Sequence, residues 1–284
     1  QEPQLVSRRG AAAVVDAGDG WGQPARWLAT DTALDLANAC ALGAATVRRS
    51  YHIGRVAPYV EAIARHGKIG LAMANCAPAV APFGGSARVM GTNPIAWAVP
   101  RGAGRAPICL DVATAAIAEG KLRYARSREA TIPEGCLLDR DGQPTVDPND
   151  FYAGGALLPF GGHKGSGFSL LAQFIGRGLA GMDPSAYDGP RGVNGPFILA
   201  IDIAAFTDPA EFAAQVDAQC AAVVGCRPEN GIAAVLLPGD RELAERERRL
   251  RAGIPVPDPT WDELRAAARD YGVATPDVHA AAAS

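Results

Sequence analysis

The sequence predicts an α/β protein that lacks a Rossmann fingerprint, and three observations lead there. Short apolar runs of strand length alternate with stretches whose apolar residues recur at helical spacing. Polar or glycine-bearing clusters follow several of those runs, which is where α/β proteins keep their ligand contacts. The densest glycine stretch, Leu157-Leu158-Pro159-Phe160-Gly161-Gly162-His163-Lys164-Gly165-Ser166-Gly167-Phe168, is neither GxGxxG after a strand nor GxxxxGK[ST].

Taken in order, Ala11 to Asp16 is an apolar run of strand type, and the glycines between Asp16 and Gln23 read as a tight loop after it. From Thr30 to Ala45, Leu34, Leu36, Ala37, Ala41 and Leu42 recur at helical spacing, with Asp31 as a start signal and Gly43 as a stop. Thr46 to Arg49 is a short strand delivering Ser50-Tyr51-His52-Ile53-Gly54 ahead of a helix from Pro58 to Gly67. His52 is there either an acid, base or cofactor contact, or a buried hydrogen-bonded His that fixes a loop. His66 sits where a cation caps a helix C-terminus.

Ile69 to Asn75 is the next strand, and the prolines and glycines of Ala77 to Gly85 make a shaped loop. Gly91-Thr92-Asn93-Pro94 turns into a buried strand, Ile95 to Val99. Ile108 to Thr114 is another strand, and Asp111 near its end either caps the helix that follows or accepts hydrogen bonds from a ligand. Ile117 to Arg128 is a basic helix, Asp139 to Gly142 a hairpin turn, and Asp147-Pro148 the start of a loop. A helix from Phe168 to Leu179, a strand from Phe197 to Ile201, a helix from Pro209 to Ala222, a last strand from Ala233 to Leu237 and two helices, to Arg251 and from Trp261 to Tyr271, complete the order.

The Gly161 to Gly167 stretch puts four glycines beside His163 and Lys164 at a helix start. Free N–H groups and a cation meeting there suit an anionic ligand, and the plain alternative is a loop with a solvated Lys. Composition narrows the partners. With 27 Lys and Arg against 30 Asp and Glu, the basic excess of a nucleic-acid binder is missing. No apolar run reaches the length of a membrane span, and no signal-peptide order opens the chain, so the expectation is a cytoplasmic protein. The six cysteines form no CxxC pair and sit in apolar stretches, which predicts buried free thiols and no metal site.

The order of motifs resembles the malate/L-lactate dehydrogenase-like family, which includes sulfolactate and ureidoglycolate dehydrogenases, diketogulonate reductase and cyclic ketimine reductases. The likeness runs from about Val14 to Gly272 through Ser50-x-His52-x-Gly54, Asn75 with Pro82-x-Gly84-Gly85, Gly91-Thr92-Asn93-Pro94, Leu110-Asp111-x-Ala113-Thr114, Ile132-Pro133-x-Gly135, Leu158-Pro159-x-Gly161-Gly162-His163-Lys164-Gly165 and Leu237-Pro238-Gly239. It implies a non-Rossmann three-layer α/β/α fold with a mixed sheet plus a smaller, mostly helical part. It further implies an N-terminal helical dimerisation region at 1–50, an NAD(P)-binding α/β domain at 51–235, and C-terminal helices at 236–284 that pack back on the N-terminal region.

By the same resemblance, Ser50, His52, Gly54, Asp111, Val112, Ala113, His163, Lys164, Asp240 and Arg241 are expected to contact NAD or NADP. Thr92 is expected on the substrate carboxylate, and His52 in proton transfer, the role its match holds in some members. Arg241 is the basic residue that would meet a 2′-phosphate and favour NADP. The implied activity is hydride transfer between nicotinamide and a small 2-hydroxy acid or 2-oxo acid, by a homodimer. Reduction of a cyclic imine is the alternative, and Lys121, at the position of an acidic partner in the ketimine reductases, favours the hydroxy acid. The family's Tyr after Lys-Gly is Ser166 here, and its aromatic residue after His is Ile53, both of which bear on substrate choice. Members carry a Ser-His-Gly motif with a nearby Arg before the position of Gln1, and the opening without Met leads us to expect a segment upstream. A chain starting at Gln1 would instead be a dinucleotide-binding remnant without catalysis.

Overall fold

The computed structural model describes residues 2–182 and 194–275. Its chain divides into two compact units, Gln1–Cys226 and Arg227–Ser284.

Sheet growth in the first unit starts from β2 (Ala12–Gly20), α1 (Gly22–Cys40) and β3 (Leu42–Ser50), with the two strands parallel from Ala12 opposite Ala44 to Gly20 opposite Ser50. β1 (Gln4–Arg9) lies antiparallel on the outer edge of β2 and is exposed along its whole length. α2 (Ala57–Arg65) leads to β4 (Lys68–Ala74), β5 (Ile95–Val99) and β6 (Ile108–Val112), and β10 (Pro196–Asp202) enters late. The order is β1-β2-β3-β10-β4-β5-β6, with β10 antiparallel to both of its neighbours. This is the mixed sheet of an α/β fold that the resemblance implies.

Small residues let α1 and α2 sit close on the sheet. Ala13, Ala29, Ala33, Ala37, Ala45, Ala72 and Ala96 fill that core, together with Val15, Leu36, Val47, Val60 and Ile63. A side chain at Gly43 would place its Cβ 2.0 Å from the Ala33 carbonyl oxygen, and one at Gly70 would meet the Val60 carbonyl oxygen at 2.8 Å. A smaller antiparallel sheet of β7 (Leu137–Leu138), β8 (Pro144–Thr145) and β9 (Ala156–Leu157) carries α3 (Glu119–Ser127) and α4 (Pro148–Tyr152). Val80, Met90, Leu122, Leu137, Phe151 and Leu157 form its core. α5 (His163–Gln173) runs into a π-helical turn, Phe174–Gly178, and α6 (Pro209–Val224) ends the unit. The second unit holds α7 (Asp240–Ala252) and α8 (Asp258–Asp270).

Several expectations are corrected. α1 spans Gly22–Cys40 rather than Thr30 to Ala45, because Gly20 still pairs with Ser50 and Gly22 fits beneath Ser50, Tyr51 and Ile53, where a Cβ would lie 2.7 to 2.8 Å from them. Gly43 does not stop the helix; Ala41 does, at φ 66°, and Gly43 is the strand residue that α1 rests upon. α5 begins at His163, five residues before Phe168, since Gly165 must pass the Phe160 carbonyl oxygen, which a Cβ would approach to 2.0 Å. Asp147 caps α4 rather than opening a loop, its side chain accepting from the Asn149 N–H. Ala233 to Leu237 forms no strand: the Leu237 N–H bonds to Asp240 Oδ2, and the run has no neighbouring strand to complete a ladder. β1 was not expected at all. None of the six cysteines is in a disulfide, but only Cys109, Cys136 and Cys220 are buried, while Cys76 is half-buried and Cys40 and Cys226 are exposed.

Candidate functional site

β2, β3, β4 and β6 point the same way and β1, β5 and β10 the opposite way, so one end of the sheet collects four strand ends and three strand starts. Ser50 ends β3 and Tyr51 to Gly54 follow it, Asn75 and Cys76 follow β4, Asp111 and Val112 end β6 with Ala113 after them, and Thr92 and Asn194 precede β5 and β10. Chain direction alone therefore brings Ser50, His52, Gly54, Thr92, Asp111, Val112 and Ala113 to one rim.

Hydrogen bonds tie the rim together. Asp111 Oδ2 accepts the Val56 and Ala57 N–H groups, each at 2.8 Å, and so caps the start of α2. Of the two readings of Asp111, capping is what the structure displays, though for α2 and not for the helix that follows β6. The Asn194 N–H donates to the Ser50 carbonyl at 2.7 Å, its side-chain amide donates to the Tyr51 carbonyl, and the Gly195 N–H donates to Asn75 Oδ1 at 2.7 Å. The π-helical turn after α5 closes on the same corner, since a Cβ at Gly176 would lie 2.6 Å from the Gly195 carbonyl oxygen.

Asn93 links the rim to α5. Its Oδ1 accepts the Cys76 N–H at 2.8 Å, and its Nδ2 donates to the Ser169 carbonyl, the Ser169 hydroxyl and Gln173 Oε1. The Thr114 N–H donates to the Thr92 carbonyl at 2.9 Å, and the Phe160 N–H to the Thr114 carbonyl at 3.0 Å. Three residues beyond Phe160 the chain enters α5 with His163 and Lys164, both exposed. The His163 ring meets Phe83 edge to face, and Ser166 accepts from the Phe83 N–H. Gly161 and Gly162, at φ 55° and 63°, turn the chain into that helix. No acidic residue sits in its first turn.

His52 is exposed on the β3–α2 loop, its carbonyl taking the Gly22 N–H at 3.1 Å, so the buried alternative for this residue does not hold. Gly54 follows at φ 66°. His66, by contrast, is bonded through Nδ1 to the Ala62 carbonyl at the end of α2, the capping role expected of it. Burial pushes the Cys76 thiol up against the bonds from Thr92 and Asn93 that lower it. Cys109 is pushed to about 12 by burial, with Glu61 and Asp111 adding to the effect. Neither is a thiolate nucleophile at neutral pH.

Asp240 and Arg241 lie in the second unit, as the first two residues of α7. Gly239 before them is left-handed at φ 95°, and Asp240 accepts from the Leu237 N–H. Lys121 is exposed on α3. Among the described residues no three His, Cys, Asp or Glu side chains are grouped to hold a metal, and no helix is long and apolar enough to cross a membrane.

Sequence reasoning quoted Asn93 in a motif without a role, and it missed Asn194, whose amide with that of Asn93 organises the rim, and Arg26, which is fully buried. Its guanidinium lies 4.6 Å from the centre of the Tyr59 ring, and none of its three nitrogens has a hydrogen-bond partner among the described residues. Burial pulls it down to about 10, opposed by Tyr59, Asp111 and Cys76, so it remains cationic at neutral pH. The available signal was an Arg on the stripe of Ala29 and Ala33, three and seven residues on, where a core helix face is otherwise apolar.

Comparison with known proteins adds the lineage. A family model described as malate/L-lactate dehydrogenase matches residues 1–265. The chain is 37% identical over 269 residues to the Δ1-pyrroline-2-carboxylate/Δ1-piperideine-2-carboxylate reductase of Pseudomonas syringae pv. tomato, covering 92% of this chain and 76% of that protein. It is 33% identical to the malate dehydrogenase of Pyrococcus abyssi over 95% of this chain and 77% of that one. Among solved structures, the sulfolactate dehydrogenase of Methanocaldococcus jannaschii superposes with a TM-score of 0.84 at 31% identity, covering 96% of this chain and 79% of that one.

Proposed function

The chain belongs to the malate/L-lactate dehydrogenase family, oxidoreductases of 2-hydroxy acids, and on that premise we propose that it transfers a hydride between a nicotinamide dinucleotide and a small 2-hydroxy acid or 2-oxo acid. The observation that carries the reading is the gathering of Ser50 to Gly54, Thr92 and Asp111 to Ala113 on one rim, linked through Thr114 and Phe160 to the start of α5.

The residues present fit a dinucleotide. A Lys in the first turn of a helix opposes the macrodipole, an arrangement that an anion at that point relieves. Lys164 is such a residue, exposed, with no carboxylate in the turn to balance it. His163 and Lys164 would hold the pyrophosphate, and the Ser50 to Gly54 and Asp111 to Ala113 segments the remainder of the dinucleotide. When bound, the nicotinamide supplies the hydride chemistry that no side chain provides.

This chain's own groups then position the substrate and move its proton. The Thr92 hydroxyl orients the substrate carboxylate, and the exposed His52 imidazole holds the proton exchanged with the substrate oxygen, a role suited to that side chain. Asp111, through its bonds to Val56 and Ala57, fixes the loop that carries His52. NADPH as the preferred form rests on the resemblance alone, in which Arg241 is the basic residue expected to favour a 2′-phosphate. A cytoplasmic homodimer, as the resemblance implies, completes the reading.

The test is fluorescence titration of NADH and NADPH on the wild type and on His163→Ala/Lys164→Ala, followed by turnover with 2-oxo acids and with cyclic 2-carboxy imines. Binding that the double variant loses, with turnover of 2-oxo acids, is the expected result. Turnover confined to imines would favour the reductase reading, to which the 37% identity with an imine reductase gives weight. If neither nucleotide binds, hydride transfer by this chain is refuted.

A further inference from the structure

Arg26 stands out because nothing in the described chain explains its burial. A guanidinium carries five donors in a planar fork, and one enclosed in a protein ordinarily meets carboxylate or carbonyl oxygens. Here the Tyr59 ring covers one face, and among the described residues none of the three nitrogens finds an acceptor. Asp111 is in electrostatic range, but its Oδ2 is already bonded to two N–H groups of α2. An uncompensated buried cation costs several kcal/mol unless an anion joins it.

What surrounds Arg26 belongs to the rim. Tyr59 is on α2, Cys76 follows β4 and Asp111 ends β6, all within its electrostatic reach. The Tyr51 to Arg55 segment is held at its start by the Tyr51 N–H on the Gly20 carbonyl and the Asn194 amide on the Tyr51 carbonyl, and over this corner by the Gly22 N–H on the His52 carbonyl, the Tyr59 hydroxyl on the Ile53 carbonyl and Ile53 packed beside Gly22. Gly54, at φ 66°, gives that segment a point about which it can turn.

We propose that the Arg26 guanidinium is an oxyanion receptor of this rim, taking a carboxylate or phosphate oxygen of a bound ligand when the Tyr51 to Arg55 segment is displaced. The ligand's identity rests on the hydride-transfer reading, with a substrate carboxylate and a dinucleotide phosphate as the two sources of the same chemistry. The receptor itself does not depend on that reading. Its planar fork matches either group in bidentate fashion.

The experiment measures the thermal midpoint of the wild type, Arg26→Met and Arg26→Lys in rising oxalate or inorganic phosphate against chloride at equal ionic strength, with an NADH titration beside it. Ligand binding to the folded state raises the midpoint saturably. The wild type is expected to respond to at least one oxyanion, with the apparent affinity weakened about tenfold or more in Arg26→Met and partly kept in Arg26→Lys. A response to oxalate assigns a carboxylate; a response to phosphate, with NADH affinity falling in parallel in Arg26→Met, assigns a phosphate. No stabilisation of the wild type beyond chloride, or an equal response in Arg26→Met, overturns the proposal. Methionine fills a similar volume without the charge, and the wild-type arm stands whether or not that variant folds. NADH bound without an oxyanion response sinks the receptor alone, whereas an Arg26-dependent response without NADH binding sinks hydride transfer alone.

Discussion

Asn93 reaches Ser169 across the rim, its amide nitrogen lying 3.0 Å from both the carbonyl and the hydroxyl of that residue. The same side chain accepts the Cys76 N–H, so one amide joins the end of β4, the turn before β5 and the middle of α5. Asn93→Ala leaves the Cys76 N–H without its acceptor and takes from the Ser169 hydroxyl and Gln173 Oε1 the amide they bind. Each orphaned group costs about 1–3 kcal/mol. Urea unfolding is expected to show a loss of roughly 2–4 kcal/mol on that basis, with the m-value unchanged. Asn93→Asp should not rescue it, because a carboxylate cannot donate to the Ser169 carbonyl.

Asp111 makes a separable prediction. Replacing it by Ala removes the cap from α2, which costs about 0.5–2 kcal/mol in comparable helices. The His52 loop loses its anchor with it. Dinucleotide affinity measured by fluorescence is expected to fall at temperatures where circular dichroism still reports a folded protein. Unchanged affinity would remove Asp111 from the cofactor site and leave it a cap.

Asp16 predicts a pH dependence. Burial pushes its carboxyl up, but bonds from Arg49, from the Gly18 N–H and from Arg48 outweigh this and hold it below the usual carboxylate range. A depressed folded pKa contributes stability that is complete above the unfolded value, about 3.9, and is lost as pH falls through the folded one. The urea midpoint of the wild type should therefore exceed that of Asp16→Asn near neutrality, and the difference should shrink below about pH 4. A gap independent of pH would mean that the ion pairs with Arg48 and Arg49 contribute nothing.

Gly43→Ala tests the packing of α1. The added methyl would lie 2.0 Å from the Ala33 carbonyl oxygen and 2.6 Å from the Ala37 nitrogen, both backbone atoms that no rotamer change can move. A loss of about 1–3 kcal/mol or more is expected, the cost of overpacking a core. A loss confined to a few tenths would mean that α1 slides on β3.

Strands β4, β5, β6 and β10 were legible because their apolar runs are short and bounded by glycine, proline or polar clusters, as at Ile95 to Val99 after Asn93-Pro94. Glycine misled where its reason is tertiary. Gly22 and Gly43 read locally as breakers, but each is required by backbone atoms contributed from elsewhere in the chain, whereas Gly165 is required by the Phe160 carbonyl just ahead of its own helix. The residues expected at the site are named from the motif order of the family they resemble, and the structure brings Ser50 to Gly54, Thr92 and Asp111 to Ala113 to one rim because their strands end or begin there. Arg26 could not be named so, since its meaning lies in the absence of an acceptor around it. Ala233 to Leu237 had strand composition but no partner, and pairing is a property of the whole sheet.

The place of β10 has a kinetic consequence. Its residues, 196–202, are inserted between β3 and β4, which end and begin at Ser50 and Lys68. Until they arrive, the sheet exists only as two separate ribbons, β1-β2-β3 and β4-β5-β6, each with an inner edge whose ladder bonds are unmade. Contacts so distant along the chain slow folding, and bare edges invite pairing with other chains. During synthesis those edges wait for well over a hundred further residues, so nascent chains halted before Pro196 should be the species that aggregates. The single strand that ends this exposure also brings Asn194 to Ser50 and Gly195 to Asn75, so the two halves of the rim come into register in the step that closes the sheet.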